Sequence, residues 1–200
     1  MKRIGISQRV DCISGRDECR DALDVRWAEF MWSLGFLPII LSSRIVDVDT
    51  YLNALGLDGL ILSGGNDVGS APDRDRLETA ILDYSLTNHL PVLGVCRGMQ
   101  FINLYLGGGL ARCDSHVAVR HELLGSWVTD KGYTEVNSYH NLAIMPELLG
   151  KQLEVLAISN DGVIEAFAHR DFNWLGIMWH PERELPFSQI DKHVISEHFA

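Results

Sequence analysis

Short apolar runs alternate with segments of helical period through the first half of the chain, which is the pattern of a parallel sheet with crossover helices. Residues 3–7 predict a first strand. After an irregular polar stretch, residues 21–34 carry apolar side chains at helical spacing and end at Gly35, a residue suited to a left-handed cap. Residues 37–41 predict the second strand, 46–55 a helix ended by Gly56, and 59–62 a third strand that runs into Ser63-Gly64-Gly65. A third helix is predicted over 75–88, ahead of Pro91, and a fourth strand over 92–95. That strand passes directly into a helical segment, 97–106, in which Met99, Ile102, Asn103 and Leu106 recur three and four residues apart before Gly107-Gly108-Gly109.

Beyond the glycine run the period shortens. Residues 127–139, 153–159, 163–168 and 174–179 predict strands, and Asn160-Asp161-Gly162 is a hairpin turn signal, so this half is expected to be antiparallel. Residues 187–199 predict a closing helix with Ser188 as N-cap and Asp191 in its first turn. The class is α/β: a mostly parallel central sheet flanked by helices, with an antiparallel C-terminal half. No repeat or low-complexity linker interrupts residues 1–200, so one domain is expected.

Composition narrows the function. The chain has 46% apolar and 22% charged residues, enough to bury a sizeable core. With 17 Lys plus Arg against 27 Asp plus Glu, the formal charge of −10 argues against nucleic acid or an anionic membrane as partner and in favour of a small molecule. No apolar run resembles a signal peptide or a membrane span, so a cytoplasmic protein is expected. Cys12, Cys19, Cys96 and Cys113 show no paired or metal-finger spacing, and free thiols are expected, one of them reactive.

Cys96 is that thiol. Gly94-Val95-Cys96-Arg97-Gly98 places it between a buried strand and a helix with glycine on either side, a nucleophile elbow with sulfur in place of oxygen. A helix N-terminus at the sulfur favours the thiolate. Of the eight histidines, His180 is singled out because it ends an apolar strand, Pro181 holds it extended, and Glu182 follows two positions later to orient the imidazole. Acyl transfer also needs donors for an oxyanion, and the backbone N–H groups of Arg97 and of Gly65 are the candidates. Arg9, Arg16, Arg20 and Arg26 flank the end of the first strand, the edge where open α/β sheets bind ligands, and Arg9 and Arg26 are candidates for a phosphorylated leaving group.

Other signals do not lead to chemistry. His121-Glu122 lacks a second histidine at position 125, His116 and His121 read as loop residues, and neither a metal site nor a cofactor is expected. The glycine run at 107–109 lacks the lysine and hydroxyl of a phosphate-cradling loop and reads as a helix end. Cys12, Cys19 and Cys113 carry no elbow context and read as non-catalytic.

The ordered set Ser63-Gly64-Gly65, Gly94-Val95-Cys96-Arg97-Gly98-Met99-Gln100, Val136-Asn137-Ser138-Tyr139-His140 and Gly176-Ile177-Met178-Trp179-His180-Pro181-Glu182 resembles the class I glutamine amidotransferase-like superfamily over nearly the whole chain. Cys-Arg-Gly and Val-Asn-Ser-Tyr-His are more similar to its γ-glutamyl hydrolase branch than to glutaminase domains. The resemblance implies a Cys96, His180, Glu182 triad, a γ-glutamyl substrate, and recognition of the glutamyl group by Gln100, Ser138 and Tyr139. Short members with an Ile-Gly-Ile-Ser-Gln-Arg strand resemble bacterial capsule-biosynthesis hydrolases of γ-glutamyl-CDP-amidate. Hydrolysis of γ-glutamyl amines, a glutaminase serving a partner synthase, and a non-catalytic binding module are the alternatives.

Overall fold

The apolar runs close into one nine-stranded sheet in the computed structural model, which describes residues 1–200. Strands β1 (Arg3–Ile6), β2 (Arg9–Cys12) and β3 (Cys19–Ala22) precede helix α1 (Arg26–Ser33); β4 (Leu37–Ile40), α2 (Val48–Leu55), β5 (Gly59–Leu62), α3 (Pro72–Asn88), β6 (Val92–Val95) and α4 (Arg97–Tyr105) follow. The second half holds β7 (Ala111–Arg112), β8 (Val117–Leu124), α5 (Ser126–Lys131), β9 (Glu135–Tyr139), β10 (Leu142–Ala143), β11 (Leu153–Ser159), β12 (Ile164–His169), β13 (Trp174–Ile177) and α6 (Gln189–His198). The strand order is β4-β1-β5-β6-β13-β12-β11-β8-β9. Pairings from β4 to β13 are parallel, and those from β13 to β9 antiparallel. The last parallel strand, β13, is therefore the seam between the halves, and it leads into His180.

Alternation along the central strands sorts the core onto two faces. Ile61, Leu93, Val95 and Ile177 point to the face covered by α1 and α6, where Trp27, Phe30 and Phe199 pack. Leu60, Leu62, Val92 and Trp174 point to the face covered by α2, α3 and α4, with Leu52, Ile81 and Ile102. Local signals set the helix ends. The Asp47 side chain accepts from the Thr50 N–H at the start of α2, Gly56 closes it in a left-handed conformation, and Ser188 accepts from the Asp191 N–H at the start of α6.

Two expected elements are divided. Residues 21–34 begin as strand, not helix: the Asp21 carboxylate accepts from the Ser43 N–H (2.9 Å) and Oγ (2.6 Å), and this tertiary tie holds β3 extended against β2 until α1 starts at Arg26. Residues 127–139 hold α5 and then β9, because Gly132 adopts a left-handed conformation that caps the short helix. The expectation of four free thiols also fails. Cys12 and Cys19 face one another across the β2–β3 register and form a disulfide, while Cys96 and Cys113 are free. Strand β8 was not anticipated; most of its side chains are exposed, so it lacks the apolar alternation that marks a strand. No helix is long and apolar enough to cross a membrane.

Candidate active site

Cys96 stands between β6 and α4 with φ 52° and ψ −106°, a conformation costly for any residue with a Cβ and sustained by what surrounds it. The adjoining glycines are required sterically. A Cβ on Gly98 would sit 1.9 Å from the Leu62 carbonyl oxygen, and one on Gly94 would sit 2.8 Å from the Gly98 carbonyl. The turn is thus wedged between β5 and the first turn of α4. The Cys96 N–H donates to the Ile177 carbonyl (2.8 Å), which fastens the elbow to β13 three residues before His180.

His180 and Glu182 are both buried, and His180 Nδ1 lies 2.7 Å from Glu182 Oε1. With Nδ1–H donating to the carboxylate, Nε2 is the ring nitrogen left to exchange a proton with Cys96. Burial by itself would depress the imidazolium, but the Glu182 charge and the interaction with Cys96 outweigh it and raise the His180 pKa to about 9. A histidine that keeps its proton at neutral pH is the counter-charge a thiolate nucleophile needs.

The seat of His180 comes from elsewhere in the chain. Asn137 on β9 clasps its backbone from both sides: Oδ1 accepts from the His180 N–H (2.9 Å) and Nδ2 donates to the His180 carbonyl (2.9 Å). Gly64 packs against the ring so closely that a Cβ there would lie 2.6 Å from His180 Cε1. Asn137 belongs to a motif visible in the sequence, but nothing local marks it as the residue that holds His180.

Gly65 lies beside that contact, and neither the Gly64 nor the Gly65 N–H is taken by a backbone acceptor. The Arg97 N–H is the first of α4, which helical bonding leaves without a partner. The Arg97 side chain links these two candidate donors to one frame. Its Nε donates to the Asn66 carbonyl (3.0 Å), and its guanidinium pairs with Asp75 and Glu78. Glu78 also accepts from Ser7 Oγ (2.7 Å) and from Arg74 Nε (2.9 Å), and Arg74 donates to the Ser63 carbonyl. Burial lowers the Arg74 and Arg97 pKa values to about 10 and about 9, so both remain charged at neutral pH.

The remaining expected residues divide between the site and its scaffold. The Tyr139 ring meets the His180 ring edge-on at 5.9 Å, and the Arg183 guanidinium lies over Tyr139 at 4.7 Å. Gln100, on α4, instead donates to the Leu142 carbonyl (2.8 Å), and Ser138 Oγ donates to the His116 carbonyl (2.7 Å). Arg9 is exposed and paired with Asp11 (2.7 Å); Arg26 is clamped on Asp24. Arg9, Asp24, Gly65 and Arg183 line a cleft of about 290 Å³ that opens at His180 and Glu182. Arg183 follows Glu182 directly and carries no sequence pattern of its own, so nothing local marks it. His116 and His121 are not isolated loop residues: His121 lies on β8, and both gather with His140 and Glu165.

The model of the family Peptidase C26 matches residues 4–182. The γ-glutamyl-CDP-amidate hydrolase of Campylobacter jejuni is 36% identical over 206 residues, covering 98% of this chain and 97% of that protein. Anthranilate synthase component 2 of Cyanophora paradoxa is 28% identical, covering 81% of this chain and 86% of its own. Among solved structures, a Thermoplasma acidophilum protein provisionally assigned to GMP synthase superposes with TM-score 0.74 at 21% identity, over 100% of this chain and 92% of that one. A glutamine amidotransferase from Thermotoga maritima gives 0.66 at 12% identity, over 98% and 83%. With the glutamine amidotransferase fold and a family match across nearly its whole length, the chain belongs to the hydrolytic Peptidase C26 family.

Proposed function

We propose that the protein is a cysteine-dependent γ-glutamyl hydrolase in which Cys96 Sγ attacks the γ-carbonyl carbon of the substrate. The oxyanion that forms is received by the N–H groups of Arg97 and Gly65. His180 then gives its proton to the departing nitrogen, and the C–N bond breaks to leave a glutamyl thioester on Cys96. Water, deprotonated by His180, attacks the thioester and releases glutamate. Glu182 keeps the imidazole in the required tautomer throughout. The observation that supports this reading is the strained Cys96 elbow set against a buried His180–Glu182 pair at 2.7 Å.

The substrate proposed is γ-glutamyl-CDP-amidate, releasing cytidine diphosphoramidate, as the name of the Campylobacter relative suggests. The site offers cations for such a group: Arg9 and Arg183 line the cleft beside His180. Arg26 is the weaker candidate, since both carboxylate oxygens of Asp24 already hold its guanidinium. The test is a panel of γ-glutamyl amines, anilides and the CDP-amidate assayed with the purified chain alone. The nucleotide amidate is expected to give the highest kcat/KM. Faster turnover of a γ-glutamyl amine overturns the substrate, and glutamine hydrolysis that appears only with an added synthase overturns the hydrolase in favour of a glutaminase that serves a partner.

A further inference from the structure

On the antiparallel side of the sheet, four side chains from distant parts of the sequence converge. His116 precedes β8, His121 lies on it, His140 follows β9 and Glu165 is on β12; one ligand atom from each falls within 4.8 Å of all the others. We infer that these four residues bind a divalent transition-metal ion, zinc by the chemistry of the donors, through His116 Nδ1, His121 Nε2, His140 Nε2 and a Glu165 oxygen.

Three observations carry this. The Glu165 side chain is fully buried and neither of its carboxylate oxygens has a hydrogen-bond partner; nor has His121 Nε2. An ionised carboxylate is not left buried without a compensating positive charge, and no lysine or arginine pairs with it. The outward nitrogens of two of the imidazoles are already committed. His116 Nε2 lies 2.7 Å from Asp161 Oδ2, itself held by Ser159 Oγ at its other oxygen, and His140 Nδ1 lies 3.0 Å from the Leu142 carbonyl. Each outward contact takes the one N–H of a neutral imidazole, which turns the lone pairs of the inward His116 Nδ1 and His140 Nε2 toward each other, 3.3 Å apart, as metal ligation requires. Two facing lone pairs beside a carboxylate repel unless a cation stands among them. Their separation matches the edge of a zinc tetrahedron, about 3.3–3.4 Å for metal–nitrogen bonds near 2.0–2.1 Å. The outward contacts to a carboxylate and a backbone carbonyl are those that fix the tautomer of zinc-bound histidines.

Four protein donors close the coordination sphere, so the role is structural, not catalytic. The ion would tie the β8–β9 ribbon to β12 next to the seat of the base. His140 follows the Asn137-Ser138-Tyr139 segment, and the Glu165 carbonyl accepts from the Met178 N–H (2.8 Å) two residues before His180. A cleft of about 350 Å³ bordered by Asp114, Glu122 and Asn160 reaches His116 and His121 from solvent and gives the ion a way in.

The test is elemental analysis of the chain purified without chelator, then after incubation with zinc chloride and desalting. About one zinc per chain is expected, with dipicolinate stripping it and lowering Tm by about 5 °C or more, reversibly on zinc return. Cobalt in its place should give the visible absorption of a four-coordinate ion. His121→Ala and Glu165→Gln should lose the metal; His121 is only partly buried, so that variant is expected to fold even if the other does not. Cys96→Ala must keep it, since zinc also binds an active-site thiol. Wild-type protein that retains less than about a tenth of an equivalent under both conditions overturns the proposal, as does zinc that survives in His121→Ala but leaves with Cys96. Metal content is read without any substrate, so this result stands or falls apart from the proposed hydrolysis.

Discussion

The proposed nucleophile and its proposed base occupy one edge of one sheet but are assembled in opposite ways. Cys96 is held by chain neighbours and adjacent parallel strands: Gly94 and Gly98 make room, β5 presses from one side, and β13 receives its N–H. His180 is held by residues far away in sequence, with Asn137 on its backbone, Gly64 on its ring and only Glu182 nearby. A nucleophile on a contiguous turn is strained by its own segment, whereas a base seated by long-range contacts depends on how the antiparallel half packs.

The largest expected effects fall on the nucleophile side. Replacing Cys96 by alanine should lower kcat by at least about 10⁴-fold while the far-UV spectrum and Tm stay near wild type, because only the attacking atom is removed. Gly98→Ala should act the other way, through structure: its Cβ must displace the Leu62 carbonyl 1.9 Å away, at a cost of about 3 kcal/mol or more, read as a lower denaturant midpoint. If Gly98→Ala melts like wild type, the close wedge between β5 and α4 is wrong.

On the base side the expected losses are graded. Asn137→Ala removes both partners of the His180 backbone and should lower kcat about 10- to 100-fold, with KM much less affected, since the base loses its aim while the cleft remains. An equal loss in both constants would mean that Asn137 shapes the cleft instead.

The His180–Glu182 pair also predicts how stability varies with pH. The folded-state pKa of about 9 lies above the ordinary histidine value near 6.5, so the contribution is fully present below about pH 6.5 and is lost as pH rises through about 9. The loss should be on the order of 3 kcal/mol. Urea midpoints measured across that range should fall for the wild type and stay flatter for His180→Gln. Parallel curves would show that the imidazolium is not held as the structure indicates.

The same contrast explains what the sequence revealed. β5 and β6 were legible to the residue, and the start of α4 with them, because buried parallel strands are short apolar runs and the elbow is a contiguous motif. The His180–Glu182 pair was legible for the same local reason. Hidden were the contacts made at long range: Asn137 as a clasp, the Asp21 tie that turns an apparent helix into β3, and the gathering of His116 and His121 with His140 and Glu165. The Cys12–Cys19 disulfide is local, seven residues apart, and was hidden because the polar β2–β3 hairpin that aligns it lacks the apolar alternation that marks strands. Spacing in the chain carries no record of partners brought together by an antiparallel sheet.

The smallest effects concern the arginines, where local reading and tertiary placement disagree most directly. Arg9 and Arg26 were marked by their position after β1, yet each is already paired, with Asp11 and with Asp24. Arg183 was not marked, but it lines the cleft at His180 and lies over Tyr139; its Nε stands 3.6 Å from Glu182 Oε1 without a hydrogen bond, beside the carboxylate that orients His180. Arg183→Ala should therefore raise KM for a phosphate-bearing γ-glutamyl substrate about tenfold, the worth of one charge-assisted hydrogen bond. Arg9→Ala should raise it less, because Arg9 is exposed and already paired with Asp11, and Arg26→Ala by no more than about twofold, because its half-buried guanidinium is committed to both oxygens of Asp24. None of the three should much alter KM for a neutral γ-glutamyl anilide, which separates a lost phosphate contact from a disturbed Glu182. An equal rise for both substrates in Arg183→Ala would assign that side chain to supporting the triad, and a dominant effect at Arg26 would return the phosphate to the position read from sequence.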